Sequence, residues 1–515
     1  MKPRLLANTI RHLKAEQVIF QIVRKLHPAH LRKSDAPQAS FANPSTAFLQ
    51  KPEILNQGKF CFLNLESSFN GWDFDGFGPL WAYNLNYMDW LFQPGITAAE
   101  CAEWIDRFIK EAHSGHTSYA PYPTALRCMN WIKLFCIYPE LATKERLDSL
   151  YSQLLLLSNS IERHILGNHI LEDAFALSMG AYVFPGSGLG RKAYRLLTRE
   201  LSRQILPDGA HFEQSPMYHC IMLERVLDCI NLFKSDDSPL LRDVVSLLRN
   251  QASMMIGHLK NIVWNDNTIP LMGDSAYGIA SEPEALLDYA SRLGIEAAQT
   301  RLNECGYRKM NKSGMELTAR IGAITATYQP GHSHADTFSY ELRIGGKPFI
   351  VDTGISTYNK NSRRQYERST KAHNTVTYDE KDSSQVWGGF RVGSRAAVRI
   401  VQDDEYQIVA SHNGFGRKHI HQRSFRMTGQ ELEINDVCQG SKDAVSRIHF
   451  APGIRILSAD TSAIVTDVAT IRIQDATDVV ISDAETSVRY NRTEKSKVAE
   501  IRFRNRLAYF LDLNP

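Results

Sequence analysis

Residues 338–351 read Phe-Ser-Tyr-Glu-Leu-Arg-Ile-Gly-Gly-Lys-Pro-Phe-Ile-Val. Two short runs rich in aromatic and β-branched residues flank Gly345-Gly346, and glycine reaches positive φ at both turn positions without steric cost. The stretch therefore predicts a β-hairpin. Downstream the same character continues, with β-rich runs at 395–402, 405–411, 423–437, 445–450, 463–474, 478–490 and 498–511. Many short strands over roughly 200 residues favour a sandwich over a closed barrel. Upstream the pattern is different. From about residue 97 to 305 apolar residues recur at helical spacing, with runs at 146–166, 170–183, 191–206, 217–234, 239–259 and 283–303. Turn signals separate them at Pro185-Gly186, Pro207-Asp208-Gly209 and Ser235-Asp236-Asp237. Short connections between helices of moderate length predict antiparallel helical hairpins in a layered or toroidal domain.

The totals agree with two domains. A chain of 515 residues exceeds what one hydrophobic core serves. A net charge of +3 argues against a uniformly basic nucleic-acid-binding surface, although a local basic cleft is compatible with it. Eight scattered cysteines contain no CxxC pair. Five of them, Cys101, Cys128, Cys136, Cys220 and Cys229, fall on apolar helix faces and read as buried free thiols of a reducing compartment. No window is long enough for a membrane span, and the basic, amphipathic first residues lack the apolar core of a signal peptide. The expectation is a cytoplasmic protein, with the periplasm as the alternative.

Four clusters have the residue types that chemistry needs. Asn168, His169 and Glu172 share one helical face and can hydrogen-bond a substrate carboxylate. In the second, Ser215-Pro216 opens a helix whose first turn holds Tyr218, a residue able to exchange a proton as acid or base. Third, His332 and His334 lie two apart on an extended segment, and the 338–351 hairpin returns Asp352 toward them, with His373 nearby in sequence. His334, Asp352 and His373 form a set of the kind that suits Zn²⁺. The fourth interleaves aromatic, amide and basic groups suited to acidic sugars: Trp81, Tyr83, Asn84, Tyr87, Tyr122, Arg127, Asn130 and Trp131. Each cluster also has a plain structural reading, as helix cap, packed aromatic or solvated histidine.

Eight segments together resemble the heparinase II/III family of polysaccharide lyases. They are WAYNLNYMDWL (81–91), YPTALRCMNWIK (122–133), NHILEDAFAL (168–177), DGAHFEQSPMYH (208–219), PLMGDS (270–275), GHSHADTFSYEL (331–342), PFIVDTGISTY (348–358) and AHNTV (372–376). The resemblance covers roughly residues 80 to 400, in the family's order. It implies an α+β multidomain chain: an N-terminal (α/α) toroid of helical hairpins over residues 1–310, then a C-terminal antiparallel β-sandwich over 316–515, with the cleft between them. It also implies Tyr218 as the catalytic tyrosine, His332 as the catalytic histidine, and Asn168 and His169 as the groups that hold a uronate carboxylate or assist proton transfer. His334, Asp352 and His373 match the ligands of zinc-containing members, the metal being structural. Among Tyr358, Tyr366, Arg364 and Arg368, which could supply a further substrate contact, Tyr358 and Arg368 are selected.

The expected activity is β-elimination on an acidic, uronate-containing polysaccharide, leaving an unsaturated uronate end. A uronate C5-epimerase shares the first half of that chemistry, and a non-catalytic glycan-binding protein would share the scaffold. A glycoside hydrolase would need two carboxylates at the cleft, for which Glu172 and Glu213 are the available pair.

Overall fold

Proline at the first helical position marks one helix start after another: Pro79, Pro121, Pro216, Pro239 and Pro283. In the computed structural model, which describes residues 3–113, 115–234, 238–429, 431–440 and 443–513, these prolines open helices of a single helical region. The turn expected at 235–237 lies outside the described residues. The helices are α1 (Pro3–Ile10), α2 (Ala15–Leu26), α3 (Pro79–Tyr87), α4 (Ala98–Glu111), α5 (Pro121–Ile137), α6 (Lys144–Asn159), α7 (Asn168–Val183), α8 (Gly190–Gln204), α9 (Pro216–Leu232), α10 (Pro239–Ile262) and α11 (Pro283–Arg292).

Two kinds of helix alternate. Almost every residue of α5, α7 and α9 is buried, as a helix apolar around its whole circumference requires. By contrast α4, α8 and α10 bury one stripe and leave the other face to solvent. The odd-numbered series packs in succession, α3 on α5, α5 on α7, α7 on α9 and α9 on α11. The even-numbered helices lie outside it, and α5–α6, α7–α8 and α9–α10 are hairpins. This double layer of inner and outer helices is the toroid. A three-stranded sheet at residues 55–68, which the helical periodicity does not signal, covers α3.

The last helix of the ring ends at Arg292, ahead of Gly294 with φ +64°, and the first strand of the next region begins at Tyr307. Strands 307–312, 315–320, 340–344 and 347–350 form a four-stranded meander, all antiparallel. Its last turn is Gly345-Gly346, with φ of +56° and +77°. A ten-stranded antiparallel sheet faces it. The β-rich run at 423–437 is two strands, 421–428 and 431–438, because the backbone turns at Gly429. Leu317, Tyr340 and Leu342 of the meander share one core with Phe425, Ile434, Ile471 and Ile501 of the large sheet. Two antiparallel sheets over a common core make a sandwich.

The longest strands, 469–489 and 492–513, form a hairpin that projects beyond the sheet into the helical region. At its turn Tyr490 is buried in the toroid's core, Asn64 donates to the Tyr490 carbonyl at 2.8 Å, and the Tyr277 amide donates to the Val488 carbonyl at 2.8 Å. This insertion fixes the sandwich against the ring and sets the width of the cleft between them. All eight cysteines are free, and all but Cys61 are buried.

Candidate active site

The chain reaches the cleft from four directions. Leu166 and Gly167 adopt positive φ before α7, and a Cβ on Gly167 would collide with the Glu213 carboxylate. That close approach lets Glu213 Oε1 accept from the Asn168 amide at 2.8 Å. Ser215 caps α9, its hydroxyl accepting the Tyr218 amide at 3.2 Å, so Tyr218 sits in the first turn with its ring in the cleft. The loop after the first meander strands supplies His332, and the segment after the 338–351 hairpin supplies Tyr358.

These groups interlock. The Tyr218 ring stacks on His332 at 3.8 Å between centroids. Tyr218 and Tyr358 hydroxyls lie 3.4 Å apart, and the Tyr358 hydroxyl is 3.3 Å from His332 Nδ1. His332 Nδ1 is 2.9 Å from Asp274 Oδ2, and Nε2 is 3.3 Å from Glu213 Oε2. Asn168 Nδ2 reaches the Tyr122 hydroxyl at 3.4 Å, while its Oδ1 is buried with no partner. His169 is held by Glu162 at 2.8 Å.

Burial raises the Tyr218 phenol well above its ordinary value, against the opposing pull of the Tyr358 hydrogen bond. It also raises the Glu213 carboxyl, opposed by His332 and the Asn168 amide. For His169 burial works downward, but Glu162 prevails and the imidazole is raised. Asp274 also resists its burial: Arg364, bidentate at 2.5 and 2.7 Å, and the two histidines hold its carboxyl well below the usual range. Asp274 is thus a permanent anion joining Arg364, His332 and His334.

Asn84, Tyr87, Tyr122, Tyr218, Tyr358 and Arg225 line a cavity of about 80 Å³ at this point. Tyr83 stacks on Tyr122 beside it, at 6.5 Å. Other residues expected to touch substrate are placed elsewhere. Trp81 and Trp131 are core residues, their indole N–H groups directed to Leu65 O and Met88 Sδ. Arg127 is fully buried and committed to Gln153, Asn86 O and Thr124, and Asn130 donates to Tyr87 O. These four are placed in the core, each with its polar group already bonded inside the protein. Glu172 is buried behind the cavity against Arg225, at 3.2 Å, so it cannot be one of a hydrolase's two cleft carboxylates. Arg368 supports the cleft from behind, donating to Ser333 O at 2.9 Å, and does not face it. Sequence reading passed over Arg225 and gave Asp274 no role, although the latter lies within the PLMGDS segment.

The histidine pair has the polarity of a metal site. His334 Nε2 is bound to Asp274 and His373 Nδ1 to Asp352, at 2.8 and 2.7 Å, which leaves His334 Nδ1 and His373 Nε2 buried and unpartnered, the rings 5.3 Å apart. Asp352 accepts from His373 at Oδ2 and from the Gly354 amide at Oδ1. Of the expected set His334, Asp352 and His373, the two histidines thus have free buried nitrogens, while Asp352 orients His373. Among the described residues, Asp208, His258 and Cys305 are the group whose ligand atoms all lie within 4.8 Å of one another, and they could hold a metal. Asp208 nevertheless already accepts from the Ala210, Asn303 and Cys305 amides.

Known proteins share this architecture. The model "Heparinase II/III N-terminus" matches residues 104–290 and "Heparinase II/III-like, C-terminal" matches 295–508. A heparin-sulfate lyase of Bacteroides stercoris is 22% identical over 314 residues, 55% of this chain and 45% of that protein. One from Pedobacter heparinus is 25% identical over 248 residues, 42% and 36% of the two chains. The match thus spans less than half the length of these curated relatives. Among solved structures, a heparinase III has a TM-score of 0.62 at 15% identity, covering 89% of this chain and 80% of its own. A mutant heparan sulfate lyase from Pedobacter heparinus has 0.59 at 16%, covering 88% and 81%. With both family models matched in order over most of its length, the chain belongs to the heparinase II/III family of polysaccharide lyases.

Proposed function

We propose that the protein cleaves a uronate-containing acidic polysaccharide, of the glycosaminoglycan class, by β-elimination. The observation that carries this reading is Tyr218 stacked on His332, with Asn168 and Glu213 beside them, at the end of a cavity. In the proposed step the uronate carboxylate lies against Asn168, His169 and the Glu213 carboxyl. Burial favours protonated Glu213, which donates to that carboxylate as charge spreads into it from C5. Asp274 accepts from His332 Nδ1, so the tautomer carries its proton there and Nε2 is left as base. His332 Nε2 takes the C5 proton, the C4–O4 bond breaks, C4=C5 forms, and Tyr218, protonated at rest, gives its proton to O4. The Tyr358 hydroxyl lies within reach of both the Tyr218 hydroxyl and His332 Nδ1 and orients the two side chains, while the proton on His332 Nε2 leaves to solvent and Tyr218 regains one from it once product departs.

A zinc ion, if bound, would be held by His334 and His373 and would fix the loop that carries His332 in place. No step above depends on it.

Ultraviolet absorbance of the conjugated product, followed across a panel of uronate polymers in deuterated solvent, tests the reading. A rise supports elimination. Deuterium at C5 without a rise would replace it with epimerisation.

A further inference from the structure

Helix α2 turns an apolar stripe toward solvent. Val18, Ile19, Ile22, Val23 and Leu26 fall on one face, and Ile19, Ile22 and Leu26 are 55%, 55% and 69% exposed. Ile10 and Leu13 continue the exposed surface toward α1. A helix of a globular protein normally buries such a stripe against its own core. Here the polar face makes the attachment instead. Gln17 Nε2 donates to the Ile165 and Tyr328 carbonyls, both at 3.1 Å, and Glu16 pairs with Arg163 at 2.5 Å. On α1, Thr9 Oγ1 accepts from the Trp387 indole at 3.1 Å and Asn8 bonds Gln385. The two helices are thus fixed to the toroid and to the sandwich, with the apolar stripe of α2 outward and Ile10 exposed at the end of α1.

The charge of the molecule is concentrated on the same segment. The first 33 residues contain eight Lys and Arg and one Glu, a formal +7 against +3 for the whole chain, so the remainder is −4. Arg24 and Lys25 flank the stripe in the last turn of α2. The segment lies beside the cleft, for the carbonyls that hold Gln17 belong to Ile165 and Tyr328, three and four residues before Asn168 and His332.

An exposed apolar stripe flanked by cations is the pattern of a helix that lies in a membrane interface. We propose that the face formed by α1 and α2 docks on an anionic lipid bilayer, with Ile19, Ile22 and Leu26 in the headgroup boundary and the basic side chains against lipid phosphates. No described helix is long and apolar enough to cross a membrane, so the contact is peripheral. A second copy of the chain is the less fitting occupant, since a two-fold contact would set the same excess of positive charge against itself. An acidic polysaccharide would match the charge but leave the stripe uncovered. Docked in this way, the cleft mouth lies close to the bilayer, where a polymer emerging from or anchored in it would pass.

Co-sedimentation of the full chain with vesicles of pure phosphatidylcholine, and with vesicles containing phosphatidylglycerol, tests this. Binding is expected to the anionic vesicles alone and to fall as salt screens the contact. The pair Ile19→Gln with Ile22→Gln, and separately Arg24→Glu with Lys25→Glu, should each weaken it roughly tenfold or more. Because these side chains are exposed, the melting temperature should hold. Absence of binding to anionic vesicles would overturn the proposal. So would a dimer in light scattering that the isoleucine pair dissolves, which would assign the stripe to a second copy.

Discussion

Asp274 shows what one carboxylate does for this site. It takes hydrogen bonds from Arg364, His332 and His334, residues 90, 58 and 60 positions away in the chain, and no local pattern announces such a hub. Tyr218, His332 and Asn168 stand out in the sequence because their residue types are unusual in their settings, and the fold brings all three to the cleft around Glu213. Trp131 and Arg127 were misread for the opposite reason: aromatic rings beside a guanidinium look alike in sequence whether they meet a sugar or, as here, the rings of Phe108 and Tyr119. Replacing Asp274 by Asn should lower kcat by roughly 10²–10⁴, because the imidazole loses the partner that fixes its tautomer. Its buried Arg364 would also be left without an anion, at a cost of about 3–5 kcal/mol in unfolding free energy. Steady-state kinetics and denaturant titration of the one variant read both effects. Trp131→Ala should instead cost about 3–5 kcal/mol of stability with KM little changed in whatever enzyme survives, the outcome for a core residue rather than a sugar platform.

Among the elements, the succession of helices joined by short turns was readable, and so was the Gly345-Gly346 hairpin, since both are properties of short windows. The strand pair at 421–438 was read as a single run because one glycine turn interrupts little of its periodicity. The sheet at 55–68 was missed because its strands are two to four residues long. The 421–438 pair also contains a buried ionic cluster that packing alone does not predict. Arg423 is bidentate to Asp436 at 2.7 Å, and His421 Nε2 lies 2.7 Å from the same carboxylate. Despite its burial, Asp436 is held below the usual carboxylate value, chiefly by Arg423. A depressed folded-state pKa gives stability that is fully present above the unfolded value, about 3.9, and is lost as pH falls below it. Asp436→Asn should therefore melt well below the wild type at neutral pH. The gap between them should narrow as pH drops beneath about 4, which calorimetry across that range would show.

For the whole molecule, the long hairpin is the join between ring and sandwich. Tyr490 sits at its turn, within the toroid's core and at the edge of the cavity. Tyr490→Ala removes a large buried ring and should cost about 3–5 kcal/mol. It should also loosen the coupling of the two regions, splitting one thermal transition into two in calorimetry. The cavity of about 80 Å³ between ring and sandwich is smaller than the roughly 300 Å³ at which ligand pockets begin, so as it stands it holds only a fragment of a sugar chain. No sequence pattern contains that relation, which arises from contacts between residues more than 400 positions apart, such as Asn64 with Tyr490. In the proposed reaction Tyr218 and His332 eliminate across C4–C5 of a uronate. Its most direct test is ultraviolet absorbance of the product on a uronate polymer, comparing wild type with Tyr218→Phe at equal melting temperature. A signal in the wild type that falls by roughly 10²-fold or more in the variant is predicted. Undiminished product formation by Tyr218→Phe would contradict the account.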